Sequence, residues 1–206
     1  MNKKIIKYAV TIAVVAFLAY NSVYFKKLSE VKAAASKTFD PAAYARTYLD
    51  KQLLPAANKA PDIDLLIGEL KNNPVKAFKT DAHSLDIGNT RFFMVKGEGV
   101  ITSVDETDVY LLTPGKQTLK IATEYIFGNA LRDAPGIITV NDFTNSMDLN
   151  NVSAEVNKLV RNEVLPPFKS KAKKGDNITF AGAFELNQEH LNLNNIEIIP
   201  INLIIK

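Results

Sequence analysis

The apolar run near the start of the chain constrains the fold more than any other feature. It extends from Tyr8 to Phe25, between three lysines on its N-terminal side and the pair Lys26-Lys27 on the other side, and no acidic residue occurs before Glu30. A helix of about 20 residues crosses the hydrocarbon core of a bilayer. The run reaches that length when Ile5 and Ile6 are included. Because lysines end it sharply on both sides, it predicts a membrane anchor over residues 1–27 and not a buried core helix.

A cleaved signal peptide is the alternative to a retained anchor. Its one Ala-x-Ala candidate, Ala33-Ala34-Ala35, is separated from the apolar core by charged residues, which is a poor context for cleavage. The chain contains no cysteine, so a lipid-modified N-terminal cysteine is not expected. The lysines before the run slightly favour a cytoplasmic N-terminus. We therefore expect a single-pass protein of the bacterial inner membrane, with a stalk over residues 28–38 and its C-terminal domain in the periplasm.

Composition predicts one folded domain over residues 39–206. The chain is 47% hydrophobic and 23% charged, close to globular averages. The whole chain has a net charge of +3. Residues 1–27 contribute +5 through five lysines, so the rest of the chain carries a net charge of −2. A nucleic-acid partner is therefore not expected, since such domains carry a basic footprint. Without cysteine, disulfides, thiol catalysis and zinc–thiolate sites are excluded. We expect no metal and no cofactor.

A small helical part is predicted over residues 39–83. Asp40-Pro41 is typical of a helix start, and this helix is expected to reach Leu54 and to stop at Pro55. Further helices are expected to begin at Pro61-Asp62 and at Asn73-Pro74.

From Arg91 onward the hydrophobic period becomes two, which predicts antiparallel strands. The predicted strands are Arg91–Asp105, Asp108–Thr113, residues 118–125, Gly136–Val140, residues 178–186 and Ile196–Ile205. A bulge on an edge strand is expected at Pro200. One helix with an apolar stripe from Leu149 to Val160 should end before Pro166. The predicted fold class is thus α+β: an N-terminal transmembrane helix, a small helical subdomain, and an OB-like antiparallel β-barrel over residues 91–206 with one inserted helix.

Five motifs occur in a characteristic order. They are Phe39-Asp40-Pro41-x-x-Tyr44, Val95-Lys96-Gly97-Glu98-Gly99-Val100, Ala130-Leu131-Arg132-Asp133-Ala134, Asp142-Phe143-Thr144-Asn145 and Phe180-Ala181-Gly182-Ala183-Phe184. Together they resemble a bacterial family of predicted periplasmic lipoproteins with a domain of unknown function. The resemblance implies an accessory role near sugar-type ABC importers. The lipobox cysteine common in that family is absent, and Asn145-Ser146 stands where Asn-Gln is expected.

Few residues are candidates for chemistry. Gly97-Glu98-Gly99 is followed by more strand and not by a helix, so it fails the phosphate-loop pattern. The candidate ligand- or partner-binding residues are Arg132, Asp133, Asp142, Asn145 and Glu98. Arginine presents a planar fork suited to carboxylate or phosphate. The alternative is structural: Arg132 forms an internal salt bridge with Asp133, Asp142 or Glu98.

Two functions from different classes follow from these residues. The first is a non-enzymatic, membrane-tethered binding or adaptor domain whose partner is a transporter or another envelope protein. The second is a hydrolase or transferase that uses the carboxylates Glu98, Asp133 and Asp142 as acid and base, which requires two of them in one cleft. No nucleophile–base pair or metal cluster is visible in the sequence, so we expect the first.

Overall fold

The computed structural model describes residues 3–22, 27 and 39–206, which fall into two compact units, Met1–Asp40 and Pro41–Lys206. In the first unit, Lys3–Ser22 forms helix α1. Residues 23–26, at the end of the predicted anchor, and the predicted stalk lie outside the described residues. Within the described part of the chain, no helix has both the length and the apolar character needed to cross a membrane.

The second unit begins with helices, continues with strands, and carries further helices between its fourth and fifth strands. The helices are α2 (Pro41–Tyr48), α3 (Leu54–Lys59), α4 (Ile63–Asn72), α5 (Pro74–Asp81), α6 (Ala130–Asp133), α7 (Ser146–Leu159) and α8 (Leu165–Lys169). The strands are β1 (Ala82–His83), β2 (Thr90–Val104), β3 (Asp108–Leu112), β4 (Thr118–Ala122), β5 (Asn177–Asn187) and β6 (Glu197–Ile205).

Five of these strands close into a barrel in the order β2-β3-β4-β6-β5. Strand β2 is long enough to pair with β5 along its first part and with β3 along its last part, and the β2–β5 pairing closes the sheet. The pair β4–β6 is parallel and the other pairs of the barrel are antiparallel. This topology confirms the OB-like barrel predicted from the strand order.

Helix α4 packs its apolar face against the barrel. Asp62 caps it by accepting hydrogen bonds from the backbone N–H groups of Asp64 (2.9 Å) and Leu65 (3.4 Å). The side chains of Ile63, Leu66, Ile67 and Leu70 are buried in the same core as the barrel interior. A Cβ at Gly97 would lie 2.7 Å from Ile63 Cγ2, so glycine permits the close approach of helix and strand.

Two helices continue through prolines at which the sequence predicts a stop. The helix ends expected at Pro55 and before Pro166 are wrong. A wider π-helical turn, Leu49–Leu53, joins α2 to α3, and a second one, Val160–Val164, joins α7 to α8. In the first, the N–H of Leu54 bonds to the carbonyl of Leu49, and in the second the N–H of Leu165 bonds to the carbonyl of Val160. We attribute the continuity to this turn, because it shifts the hydrogen-bond ladder that proline would otherwise break.

Two predictions for the strands are corrected. Gly136–Val140 is not a strand, because Gly136 adopts a positive φ of 65° and a short 3₁₀-helix, Val140–Asp142, follows. The predicted irregularity at Pro200 is present, as the register with β5 shifts between Ala181 and Gly182. However, β6 lies between β4 and β5 and is not an edge strand. Pro200 is tolerated because β6 pairs with β4 only at Glu197 and Ile198.

Candidate functional site

Arg132 and Asp133 form a buried ion pair within the one-turn helix α6. The guanidinium binds the carboxylate through two parallel bonds, Nε to Oδ1 at 2.6 Å and Nη2 to Oδ2 at 3.2 Å. The side chains are 1% and 0% exposed. Bidentate geometry of this kind is the strongest form of the arginine–carboxylate interaction. Of the partners predicted for Arg132, the structure therefore selects the adjacent aspartate.

Neighbouring elements supply the remaining hydrogen bonds of this pair. Asp133 Oδ2 accepts from the backbone N–H of Leu85 at 3.1 Å, and Arg132 Nη1 donates to Asn150 Oδ1 at 3.4 Å. The hydroxyl of Tyr48 donates to the carbonyls of Leu131 (3.2 Å) and Arg132 (3.0 Å). Burial, and to a lesser degree the charge of Asp133, raises the pKa of Tyr48, so its hydroxyl stays protonated. The side chains of the pair thus tie α6 to α7 and to the backbone at Leu85, and Tyr48 ties the backbone of α6 to α2.

Asp142 and Asn145 each take part in a helix cap, Asp142 as the third residue of the 3₁₀-helix and Asn145 just before α7. Asp142 Oδ2 accepts from the backbone N–H of Thr139 at 2.7 Å in a capping box of the 3₁₀-helix. Asn145 caps α7, since its Oδ1 accepts from the N–H of Asp148 at 2.9 Å. Burial, and to a lesser degree the charge of Asp142, raises the pKa of the Tyr44 hydroxyl. Both predicted site residues therefore hold local backbone, and as ligand contacts they stay predictions.

Glu98 lies elsewhere, on the outer surface of the barrel, in an ion pair with Lys206. Two cavities, of about 400 Å³ and about 490 Å³, adjoin it, and Glu98 and Pro114 line both of them. We call this surface the barrel groove. It is lined by Asn58, Asp62, Asp64, Lys96, Gly97, Glu98, Gly99, Val100, Leu112, Thr113, Pro114, Asn177, Ile178, Thr179, Phe180, Ala181, Asn202, Ile204 and Lys206.

Two walls of the barrel groove are fixed by hydrogen bonds. Asp64 accepts from the hydroxyl of Thr113 at 2.6 Å and from the N–H of Gly115 at 2.8 Å, so it holds the β3–β4 turn. Lys96 Nζ donates to the carbonyl of Asn58 at 2.8 Å and so joins β2 to the end of α3. A groove with walls held in this way needs little rearrangement to receive an occupant.

Sequence reasoning identified one residue of the barrel groove, Glu98, and missed the others. Thr179 and Asn202 come from the consecutive strands β5 and β6, and no motif connects either of them with Glu98 on β2. The one available signal was Asn202, a polar residue inside the apolar last strand Ile198–Ile205. Its neighbours in the groove become visible only when β2, β5 and β6 are placed side by side.

The three carboxylates of the hydrolase hypothesis are not brought into one cleft. Glu98 lines the barrel groove, and neither cavity of that groove includes Asp133 or Asp142. Asp133 is buried against Arg132, and Asp142 caps the 3₁₀-helix. Across residues 3–22, 27 and 39–206, no group of three His, Cys, Asp or Glu side chains could hold a metal ion.

Comparisons with known proteins agree with this fold. A family model described as predicted periplasmic lipoprotein (DUF2291) matches residues 13–204. Among solved structures, an OB-fold protein from Thermotoga maritima is similar with a TM-score of 0.72 and 28% sequence identity, over 82% of this chain and 99% of that chain. No curated protein matches the sequence.

Proposed function

Because the chain belongs to the predicted periplasmic lipoprotein family, we propose that its OB-fold domain is a periplasmic binding or adaptor domain held near the membrane by its N-terminal segment. The barrel groove is the observation that carries the binding part of this proposal. OB-folds commonly use a barrel face to hold their ligands, and this groove places side chains from four strands, β2, β3, β5 and β6, around open space.

The chemistry of the barrel groove favours a polar occupant without a large net charge. Both signs of charge are present, as Glu98 binds Lys206 and Lys96 lies near Asp62 in the lining. Asn177, Asn202 and Thr179 add neutral donors and acceptors, and Val100 and Leu112 contribute an apolar wall. Such a lining suits an extended segment of a partner protein or a polar small molecule.

The N-terminal segment supports the membrane part of the proposal. Helix α1 begins with lysines and exposes large apolar side chains such as Ile12 and Phe17. A helix of this composition is stabilised by burying those side chains in an apolar environment. The retained single-pass anchor is the form of attachment that we propose, with an importer of the sugar-type ABC class, or another envelope protein, as the partner.

Site-specific photo-crosslinking in intact cells tests the binding proposal. A photoreactive phenylalanine analogue at Thr179 lies in the barrel groove, whereas the same analogue at Glu185 lies on the same strand and the same outer face but outside the groove. We expect a defined adduct with an envelope component from Thr179 and none from Glu185.

A second variant tests whether the groove itself makes the contact. Glu98→Lys places two ammonium groups where an ion pair stood, so it should reduce the adduct at Thr179. Identical adduct patterns from Thr179 and Glu185, or no adduct from either position, would rule out the barrel groove as a binding surface.

A further inference from the structure

The last strand of the barrel has one edge that its neighbour covers only in part. Strand β6 pairs with β5 over most of its length, but it pairs with β4 only at Glu197 and Ile198. Strand β4 then ends, and the N–H of Thr123 donates to the carbonyl of Thr107, in the β2–β3 connection, at 2.8 Å. The second edge of β6 therefore continues beyond the strand that pairs with it.

The backbone groups of Leu203 and Ile205 point to this uncovered edge. The N–H of Lys206 donates to the carbonyl of Asn177 on β5 at 2.9 Å, so the backbone of Lys206 faces β5. Successive residues of a strand present their N–H and C=O groups to opposite edges, so Ile204 also faces β5 while Leu203 and Ile205 face away from it. Among the described residues, no backbone hydrogen bond from another element reaches these two.

An open cavity of about 250 Å³ adjoins the same two residues. It is lined by Pro167, Phe168, Lys171, Leu203, Ile204 and Ile205. Leu203 and Ile205 are half-buried and pack against the hydrophobic core, which fixes the direction of their backbone groups. Ile201, two residues earlier, is 2% exposed, so the open part of the edge is confined to the end of β6.

The lining of this cavity does not complete the hydrogen bonding of the edge. Pro167 and Phe168 belong to α8, and a helix uses its backbone groups within itself. An uncovered strand edge is a template for another extended backbone. Residues that face the same edge recur about every 6.6 Å along a strand, a spacing that an extended peptide matches. Main-chain hydrogen bonds then provide affinity, and a pocket beside the edge selects a side chain.

We propose that an extended segment of a partner protein adds to the uncovered edge of β6 at Leu203 and Ile205 and places an apolar side chain in the adjoining cavity. This surface is separate from the barrel groove, with which its cavity shares the single lining residue Ile204. The proposal therefore does not depend on whether the barrel groove is occupied.

Disulfide tethering of a peptide to the full chain in detergent micelles tests the proposal. The chain contains no cysteine, so Lys171→Cys places a single thiol at the cavity. The probe is an acetylated peptide of alternating valine and threonine that is attached through a terminal cysteine. One control is the same peptide with every backbone nitrogen methylated, which keeps the side chains and removes the donors. The other control attaches the unmethylated peptide through Lys59→Cys, because Lys59 is exposed and lines a cavity that shares no residue with this one.

Amide hydrogen exchange followed by nuclear magnetic resonance gives the readout. Without peptide, we expect the amides of Leu203 and Ile205 to exchange at least about tenfold faster than those of Asn202 and Ile204, which face β5. The peptide attached through Lys171→Cys should slow exchange at Leu203 and Ile205 by about tenfold, as expected when it occupies the edge about nine-tenths of the time. Neither control should slow it.

Several results would overturn the proposal. Equal protection of the four amides without peptide would mean that the chain itself closes the edge. No slowing by the peptide attached through Lys171→Cys would mean that the edge does not accept an extended backbone. Equal slowing by either control would show that the effect does not come from backbone hydrogen bonds at this edge. Slowing that needs no peptide and increases with the concentration of the chain would assign the edge to a second copy of the chain.

Discussion

The buried ion pair between Arg132 and Asp133 makes the stability of the domain sensitive to one side chain. Replacing Arg132 with alanine leaves a fully buried carboxylate whose remaining partner is the backbone N–H of Leu85. Breaking a buried pair by removing one partner costs about 3–5 kcal/mol, because the other charge stays buried and uncompensated. We therefore expect Arg132→Ala to lower the free energy of unfolding by about 3–5 kcal/mol.

Urea denaturation followed by far-ultraviolet circular dichroism measures this loss. With a slope of about 2 kcal/mol per molar urea, the midpoint should fall by about 2 M. Arg46→Ala is the matched control, since the side chains of Arg46 and Glu163 are 42% and 49% exposed. An exposed pair contributes at most about 1 kcal/mol, so this midpoint should fall by no more than about 0.5 M.

The double variant Arg132→Met, Asp133→Leu separates loss of charge compensation from loss of packing. It removes both charges and keeps apolar volume at the site, which is often neutral for stability. We expect its midpoint to lie much closer to the wild type than that of Arg132→Ala. If Arg132→Ala shifts the midpoint no further than Arg46→Ala at an unchanged slope, the buried pair does not stabilise the domain and the structural reasoning is refuted.

Three further outcomes follow from single contacts. Burial raises the pKa of Tyr48 in the folded state. The contribution of Tyr48 to the free energy of unfolding is therefore fully present below the unfolded pKa of about 10 and declines as the pH rises above it. Urea melts at pH 8 and 11 should show a weaker decline for Tyr48→Phe than for the wild type. A Cβ at Gly182 would lie 2.6 Å from Ile198 Cγ2, so Gly182→Ala should lower the free energy of unfolding by about 1–3 kcal/mol in thermal melts. Gly68→Ala has open space around the added atom and should raise that free energy by about 0.5–1 kcal/mol. Equal effects of the two substitutions would contradict the close approach at Gly182. Asp64→Ala releases the β3–β4 turn and should speed amide exchange of Gly115, and unchanged exchange would show that other bonds hold the turn.

Local sequence signals predicted many of the elements. The helix starts at Asp62 and Asn73 depend on a side chain that accepts hydrogen bonds from N–H groups two or three residues further on, so the information lies within one turn. The strands β2 to β6 carry alternating or apolar patterns that report which faces are buried. The Arg132–Asp133 pair was also predictable, because the two residues are adjacent in the chain.

The failed predictions discussed next each concern the effect of a proline on its helix or strand. Pro55 and Pro166 are strong helix breakers by themselves, yet the π-helical turns before them allow each helix to continue. The last strand was expected at an edge because it contains Pro200, but it lies inside a closed barrel where its neighbour β4 is short. The position of the last strand in the sheet depends on its pairing with β4 and β5, so it cannot be obtained from a window of a few residues.

The sequence by itself determined the apolar N-terminal segment, the caps, the alternating strands and the adjacent ion pair, since each depends on residues a few positions apart. Tertiary structure alone decided the barrel groove, because Glu98, Thr179 and Asn202 meet only after β2, β5 and β6 pair. It also decided that Tyr125 and Phe127 remain exposed beside Arg161, since burial depends on what the rest of the chain leaves uncovered. The barrel groove therefore arises from long-range pairing and packing, which no local pattern records.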